Sequence, residues 1–221
     1  MRVAAILLAT AIGAQAAPPL AKSVPTFRAA PTTMDLPDDA QPLIQHAVAA
    51  MKNGNTKTAR TDLEEVLKQK PGDAVALLDL GILAYREKKL TECESLLQRA
   101  VRANPDLSQG WLILGVVRHE RGELDAALAA LAQAVFLDPK NARAHHYLGI
   151  TIGRKGWYSG AEDEMRKAIE LQPDYSEAHY NLAVFYLQRQ PPAVELARRH
   201  YQKALDLGAA PDAEVAKAIG D

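Results

Sequence analysis

The sequence predicts an all-α solenoid, a row of stacked antiparallel helix pairs. Prolines recur every 34 residues, each just after an apolar, helix-like run: Pro71, Pro105, Pro139 and Pro173. A repeat of this length is typical of arrays in which each unit is one small supersecondary element. Ala, Leu, Glu, Lys and Arg are abundant, and aromatic residues make up only 5% of the chain. This composition favours helices over a β-sandwich.

The first 17 residues have the pattern of a secretory signal peptide. Arg2 precedes an apolar run over residues 3–12, and Ala-Gln-Ala follows at residues 14–16. The apolar run is shorter than the roughly 20 residues that span a bilayer, so cleavage after Ala16 or Ala17 is favoured over an uncleaved anchor. We therefore expect export to the periplasm or the exterior of a bacterial cell, and no membrane span in the mature chain.

Residues 18–37 are expected to form a flexible tether. The segment contains five prolines and shows no helical period, which is typical of extended linkers. Leu20, Val24 and Phe27 are apolar residues on this arm, and one hypothesis is that the tether folds into the array. Asp38 and Asp39 then offer a helix N-cap.

Residues 38–209 are expected to form the array. Counting Ser108 as position 1, Trp111 and Gly115 lie on one stripe of a first helix, and Ala127 and Leu131 on a stripe of a second helix. Gly115 and Ala127 are small where the two helices would cross closely. The same frame places the five units at about 40–73, 74–107, 108–141, 142–175 and 176–209.

The breaks between helices have their own signals. Gly122 is expected to end a first helix in a left-handed conformation, and Pro139 cannot continue the second helix of its unit. The fifth unit absorbs about two extra residues near Pro191. Asp212 is expected to cap a last short helix within residues 210–221, which would cover the end of the array.

These positions resemble those of the tetratricopeptide repeat (TPR) family. That family has an aromatic residue at position 4, Leu-Gly at 7 and 8, Tyr at 11, Ala at 20 and 27, and Pro at 32. The resemblance covers about residues 40–209. It departs at position 11, which holds Ala84, Arg118 and Ile152, and Trp occupies position 4 only at Trp111. The resemblance implies a right-handed superhelix with a concave groove lined by the first helices, and a role in binding other proteins.

The resemblance also assigns residues to the groove, and their middle is apolar. Positions 4, 7, 8 and 11 already supply the core, so a second apolar face suggests a partner such as a peptide or an amphipathic helix. The alternative is a superhelix tight enough for the apolar side chains to pack against adjacent first helices. The expected anchors are Leu78, Ile82, Leu112, Val116, Tyr147, Ile150, Tyr180 and Val184.

Polar residues complete the expected partner-binding groove. Arg86, Arg143 and Arg154 would bind charged groups of the partner at the rim of the groove. Asn181 would form a hydrogen bond with an extended peptide backbone. The net charge is -1 and no Lys/Arg tract stands out, so we expect no nucleic-acid partner.

Residues with reactive side chains have simpler explanations. Cys93, the only cysteine, takes a position held by Ala127 in the next unit and is expected to be buried. His145 and His179 both occupy position 4 and are expected to pack rather than bind metal. No nucleophile, phosphate-loop or metal motif is present, so we expect neither enzymatic activity nor a cofactor. The alternative to groove binding is a structural or self-associating scaffold that uses its termini and convex face.

Overall fold

The computed structural model describes residues 40–220, which form eleven helices and no strand. The expected signal peptide, the tether and the Asp38–Asp39 cap lie outside the described residues. The first five odd-numbered helices are called first helices, and their partners second helices. The helices are α1 Ala40–Lys52, α2 Thr56–Gln69, α3 Ala74–Arg86, α4 Leu90–Ala103, α5 Ser108–Glu120, α6 Leu124–Leu137, α7 Ala142–Arg154, α8 Tyr158–Leu171, α9 Ser176–Leu187, α10 Val194–Asp206 and α11 Ala213–Ile219.

Local signals set the helix ends. The Asp73 side chain accepts hydrogen bonds from the amides of Val75 and Ala76 and so caps α3. Gly122 has φ +79°, which confirms the expected left-handed end of α5. Lys88 holds the equivalent place in the second unit and also has a positive φ, +59°, a conformation that is unfavourable for a residue with a Cβ.

Three of the five helix pairs cross closely at a glycine of the first helix, namely Gly81, Gly115 and Gly149. A Cβ placed on Gly115 would lie 2.5 Å from Leu131 Cγ, and one on Gly149 would lie 2.8 Å from Met165 Cε. The expected close crossing is therefore confirmed. Cys93 is completely buried at the same place in its own pair, and burial raises the pKa of its thiol to about 12.

The pairs stack into a right-handed superhelix. Successive first helices contact one another, α3 with α5, α5 with α7 and α7 with α9, whereas successive second helices have no comparable contact within residues 40–220. The first helices therefore line the concave face and the second helices the convex face. At the far end α11 packs on α10 and buries Val215 and Ile219, and the Asp212 side chain caps it as expected.

A recurring hydrogen bond joins neighbouring units. The ring N–H of Trp111 donates to the carbonyl oxygen of Pro105 at 2.8 Å. His145 and His179, which are buried as expected, occupy the equivalent place in their own units. Because a carbonyl only accepts, Nε2 of each ring carries a proton and donates it in the bonds His145–Pro139 (3.1 Å) and His179–Pro173 (3.2 Å).

Two further features of residues 40–220 concern membranes and metals. None of these helices combines the length and the apolar character required to cross a bilayer. In the same part of the chain, His, Cys, Asp and Glu side chains do not gather in groups of three or more that would hold a metal ion.

Candidate functional site: the concave face

The floor of the concave face is apolar, but it is buried. The side chain of Ile82 is 2% exposed and that of Val116 is 6% exposed. The expectation of an exposed apolar strip is therefore wrong for most of its members. Six of the eight expected anchors are buried: Leu78, Ile82, Leu112, Val116, Tyr147 and Ile150.

The burial follows from packing between units. Leu78 and Ile82 belong to a hydrophobic cluster built by the first three units, and Leu112 and Val116 to a second cluster that runs to the end of the array. The half-buried ring of Tyr85 packs against both clusters. These side chains thus belong to the core between first helices, which was the alternative explanation of the apolar pattern.

Two of the expected recognition arginines bind helix ends. Arg86 Nη1 donates to the carbonyl oxygen of Met51 at 3.4 Å, and Arg154 Nη1 donates to that of His119 at 2.9 Å. Both carbonyls belong to the last turn of the preceding first helix, where the helix dipole favours a cation. Part of each guanidinium is therefore committed to joining units, a role that sequence reasoning missed.

Asn181 is buried and already paired. Its amide nitrogen donates to Nε2 of His146 at 2.9 Å, so Nδ1 of His146 carries the proton and donates to the hydroxyl oxygen of Tyr175 at 3.2 Å. Burial lowers the pKa of His146 to about 3, helped by the positive charge of Arg143. The expectation that Asn181 presents its amide to a peptide backbone is wrong, because the amide holds this neutral imidazole.

A second buried histidine connects the third and fourth units. The hydroxyl of Thr151 donates to the Tyr147 carbonyl at 2.7 Å, so its oxygen accepts from Nδ1 of His119 at 2.8 Å. Burial, with Arg154 nearby, lowers the pKa of His119 to about 4. Nε2 of His119 is then a buried acceptor without a hydrogen-bond partner, a rare state in native proteins.

The accessible part of the concave face is a polar and aromatic cluster at its middle, built around the buried ring of Tyr147. The Tyr85 hydroxyl donates to Glu120 Oε1 at 2.7 Å, and the Arg143 guanidinium lies 5.9 Å from the ring centroid of Tyr147. Glu120 is exposed, and Arg143 and Tyr85 are half-buried. We call Tyr85, Glu120, Arg143, Tyr147 and Glu177 the central cluster.

Electrostatics couples the central cluster across four first helices. The charges of Arg143, Glu120 and Glu177 all act on the Tyr147 hydroxyl, whose burial raises its pKa to about 12. Arg143 and Glu120 act in the same way on Tyr85, and burial likewise raises the pKa of that phenol. The cluster therefore offers the neutral phenol of the half-buried Tyr85, a cation and two carboxylates for hydrogen bonds to a ligand. Of these residues, sequence reasoning named Arg143 and Tyr147 as site candidates, and the polar residues at positions 12 and 13 were the available signal for Tyr85 and Glu120.

The remaining expected anchors lie at the far end of the face. Tyr180 and Val184 are half-buried. The Tyr180 hydroxyl donates to Asp212 Oδ2 at 2.7 Å, so this ring is tied to the residue that caps α11.

Asp79 is a buried carboxyl on α3, at the near end of the concave face. Its side chain is 6% exposed. Burial raises its pKa to about 7, the negative charge of Asp73 adds to the shift, and the charge of Arg86 opposes it.

Comparisons with known proteins agree with this architecture. Models of the tetratricopeptide repeat family match residues 50–117, 115–156 and 164–206. No curated protein sequence matches the chain. Among solved structures, MamA residues 41 to the end from Desulfovibrio magneticus RS-1 is 20% identical, with a TM-score of 0.69 over 78% of this chain and 97% of that one.

A second solved structure shares the fold. YrrB, described as a TPR protein with an unusual peptide-binding site, is 23% identical with a TM-score of 0.67 over 81% of this chain and 90% of its own. At this level of identity both structures support the fold alone. The three family matches show that the chain belongs to the tetratricopeptide repeat family, a family of protein-interaction scaffolds.

Proposed function

We propose that this protein is an exported, non-enzymatic interaction module that binds a peptide or helix of another protein along its concave face. The observation that carries the proposal is the central cluster. It places the exposed carboxylate of Glu120 beside the half-buried Tyr85 and Arg143 on the inner side of the superhelix. Aromatic and Arg side chains of this kind are enriched where proteins bind one another.

The mechanism is docking over a preformed floor. The buried side chains, such as Leu112 and Val116, hold the first helices in place. They expose only a small part of their surface to a partner. Tyr85, Arg143 and Glu177 surround that floor and would supply hydrogen bonds and charge to an incoming segment. Because the floor is already packed, little rearrangement is needed and the entropy cost of binding is small.

Position-specific crosslinking tests this proposal. A photo-crosslinking amino acid at Glu120 reports on the concave face, and the same residue at Ser95, which is exposed on α4, reports on the convex face. We expect one partner to be captured at Glu120 and not at Ser95, and the capture to be lost in the presence of excess unlabelled protein. Equal capture at both positions, or capture at Ser95 alone, would contradict groove binding.

Charged substitutions in the floor do not test binding. Leu112 and Val116 are buried, so Leu112→Glu and Val116→Glu would place unpaired carboxylates in the core, at a cost of several kcal/mol. Loss of partner binding in such variants would report unfolding. Substitutions on the accessible cluster avoid this problem.

The export proposal rests on the sequence of residues 1–17. Its test is the N-terminal sequence of the protein recovered from the periplasm or the medium. A mature chain that begins at Ala17 or Pro18 supports export, and a control in which Leu7 and Leu8 are replaced by Arg should stay inside the cell. A cytoplasmic chain that still begins at Met1 would contradict it.

A second candidate function is a self-associating scaffold, and one observation favours it. Phe136 on α6 is 76% exposed on the convex face, beside the exposed Ala129 and Ala132. An apolar face of this kind would suit a second copy of the chain. Sedimentation at increasing concentration tests it: the native chain would associate and Phe136→Ser would remain monomeric. A native chain that is monomeric at every concentration contradicts self-association.

A further inference from the structure

The outer face of α6 differs in chemistry from those of the other second helices. Its outermost stripe consists of Asp125, Ala129, Ala132 and Phe136, all of which are exposed. These residues follow one another at intervals of three or four positions, so they lie in one line along the helix. The ring of Phe136 is 76% exposed. The stripe is therefore largely apolar and open to solvent.

The equivalent stripe of the other second helices is polar. Phe136 is the thirteenth residue of α6, and exposed charged residues hold that place in the other four: Lys68, Arg102, Glu170 and Asp206. The places of Ala129 and Ala132 also hold only polar or charged residues in those helices. Because four of the five pairs are built with polar residues here, packing within the chain does not require the apolar stripe of α6.

An aromatic residue stands at each end of the stripe. The ammonium group of Lys155 forms an ion pair with Asp125 and lies 5.0 Å from the ring centroid of Trp157. The Trp157 ring, 57% exposed, is thus next to the N-terminal end of the stripe, and Phe136 forms its C-terminal end. Lys155 also offsets the charge of Asp125, the one charged residue of the stripe.

The stripe is symmetric about its midpoint, which lies between Ala129 and Ala132. A second stripe that runs in the opposite direction sets Ala129 against the partner's Ala132, and these small side chains let the two helices approach closely. Phe136 then meets the partner's Asp125 and the partner's Trp157, and the same contact occurs twice. Reciprocal contacts of this kind define a two-fold interface. Since no uncompensated like charges meet across the axis, the face suits a second copy of the chain.

We propose that two copies of this protein associate through antiparallel α6 helices, with Phe136 of each copy packed against the partner's Trp157. This inference rests on the self-associating scaffold proposed above, to which it gives an interface and a register. The concave faces lie on the other side of each copy, so both central clusters stay open. The dimer is then bivalent, and it holds a partner with two binding segments more tightly than one copy does.

Cysteine crosslinking locates the interface. Ala129→Cys puts a thiol near the two-fold axis, and Thr61→Cys is the matched control at the equivalent exposed place on α2, with α4 between them. The native Cys93 is fully buried and does not compete for the reagent. With a short bismaleimide we expect Ala129→Cys to form a product of dimer mass about tenfold faster than Thr61→Cys. Equal rates would overturn the proposal.

A pair of charge substitutions tests the register. Phe136→Lys and Trp157→Glu introduce residues that other units already carry at these places, Lys68 and Glu123, so both variants should fold. Each variant alone should dimerise about tenfold more weakly than the native chain or worse, because two aromatic contacts are lost.

An equimolar mixture of the two variants should recover dimers that contain one chain of each kind. The antiparallel register brings the introduced lysine against the introduced glutamate and keeps one native pair of Phe136 and Trp157. A parallel register provides neither contact. A mixture that stays monomeric, or a Trp157→Glu chain that dimerises like the native one, would overturn the proposal.

The outcome is separable from those of the proposed functions. If the chain associates in sedimentation but Ala129→Cys gives no product of dimer mass, this interface is wrong and self-association stands. A native chain that is monomeric at every concentration overturns the interface and self-association together, and groove binding stands. Partner capture at Glu120 should persist in Phe136→Lys, and its loss in that folded variant would contradict the independence of the two faces.

Discussion

The indole N–H of Trp111 donates a hydrogen bond to the carbonyl oxygen of Pro105, at 2.8 Å. This bond ties the first helix of one unit to the proline turn that closes the unit before it. His145 and His179 repeat the contact with Pro139 and Pro173. The proline that ends one helix pair thus also accepts a hydrogen bond from the next pair. The 34-residue period is therefore kept although position 4 holds Trp in one unit and His in others.

Removing this bond while keeping the ring should weaken the array. Trp111→Phe keeps an aromatic side chain and leaves the Pro105 carbonyl without its donor, so we expect a loss of about 1 kcal/mol in the free energy of unfolding. Urea unfolding measures it. Trp157→Phe is the control, because the Trp157 side chain is exposed, and its effect should stay within about 0.5 kcal/mol. Equal losses in the two variants would show that the hydrogen bond contributes nothing.

Lys88→Gly should stabilise the protein. Lys88 has φ +59° at a place where other units have glycine, for example Gly122 with φ +79°. A residue with a Cβ pays about 1 kcal/mol or more in this conformation, and glycine does not. We expect a gain of about 1 kcal/mol by thermal or urea unfolding, and a similar loss for the reciprocal Gly122→Lys. A neutral or destabilising Lys88→Gly would contradict this explanation.

Gly115→Ala should destabilise the third unit. The new methyl group would lie 2.5 Å from Leu131 Cγ and 3.2 Å from the Leu131 backbone nitrogen, so the two helices must separate. Overpacking of this kind costs about 1–3 kcal/mol. Gly72→Ala is the matched control, since nothing lies within 4 Å of its added Cβ. The idea fails if unfolding in urea shows the two variants to be equally stable.

Acid should destabilise the array through its buried histidines. The pKa of His146 falls to about 3 and that of His200 to about 4, mainly because burial disfavours the imidazolium. A histidine whose pKa is lowered on folding contributes stability above its unfolded pKa of about 6.5, and this is lost as the pH falls through the folded value.

The size and sign of this effect are measurable by urea unfolding between pH 7 and 4. One pKa unit corresponds to about 1.4 kcal/mol, so His146 alone would account for a few kcal/mol at most. Asp79 acts in the opposite direction, because its pKa is raised to about 7. His146→Gln should flatten the decline. A decline that is identical in His146→Gln would exclude His146 as its cause.

The sequence period predicted most of the fold because each helix pair must bury its apolar stripe against the next pair. That requirement recurs in every unit of the chain, and the small residues Gly115 and Ala127 show it in the third unit. The accessibility of the concave face was not predictable in the same way. It depends on the curvature of the whole superhelix, which buries Leu112 and Val116 between first helices. That curvature arises from contacts between units, so it cannot be read from the sequence of one unit.

The polar residues of the face show a related limit. Asn181 and Arg154 have the chemistry of ligand-binding residues, but their partners are His146 and the His119 carbonyl, which lie 35 positions away. The sequence shows a donor, and only the packed array shows that its acceptor is internal. By contrast Arg143, one of the predicted site residues, does lie in the central cluster.

The most direct test of the proposed concave-face binding is the effect of Arg143→Gln on partner capture by a photo-crosslinking residue at Glu120. Arg166→Gln is the matched control, because Arg166 is an exposed arginine on the convex second helix α8. We predict that Arg143→Gln reduces capture by about tenfold, the equivalent of about 1.4 kcal/mol, while Arg166→Gln leaves it unchanged and both variants remain folded. Undiminished capture in folded Arg143→Gln would contradict binding through the central cluster.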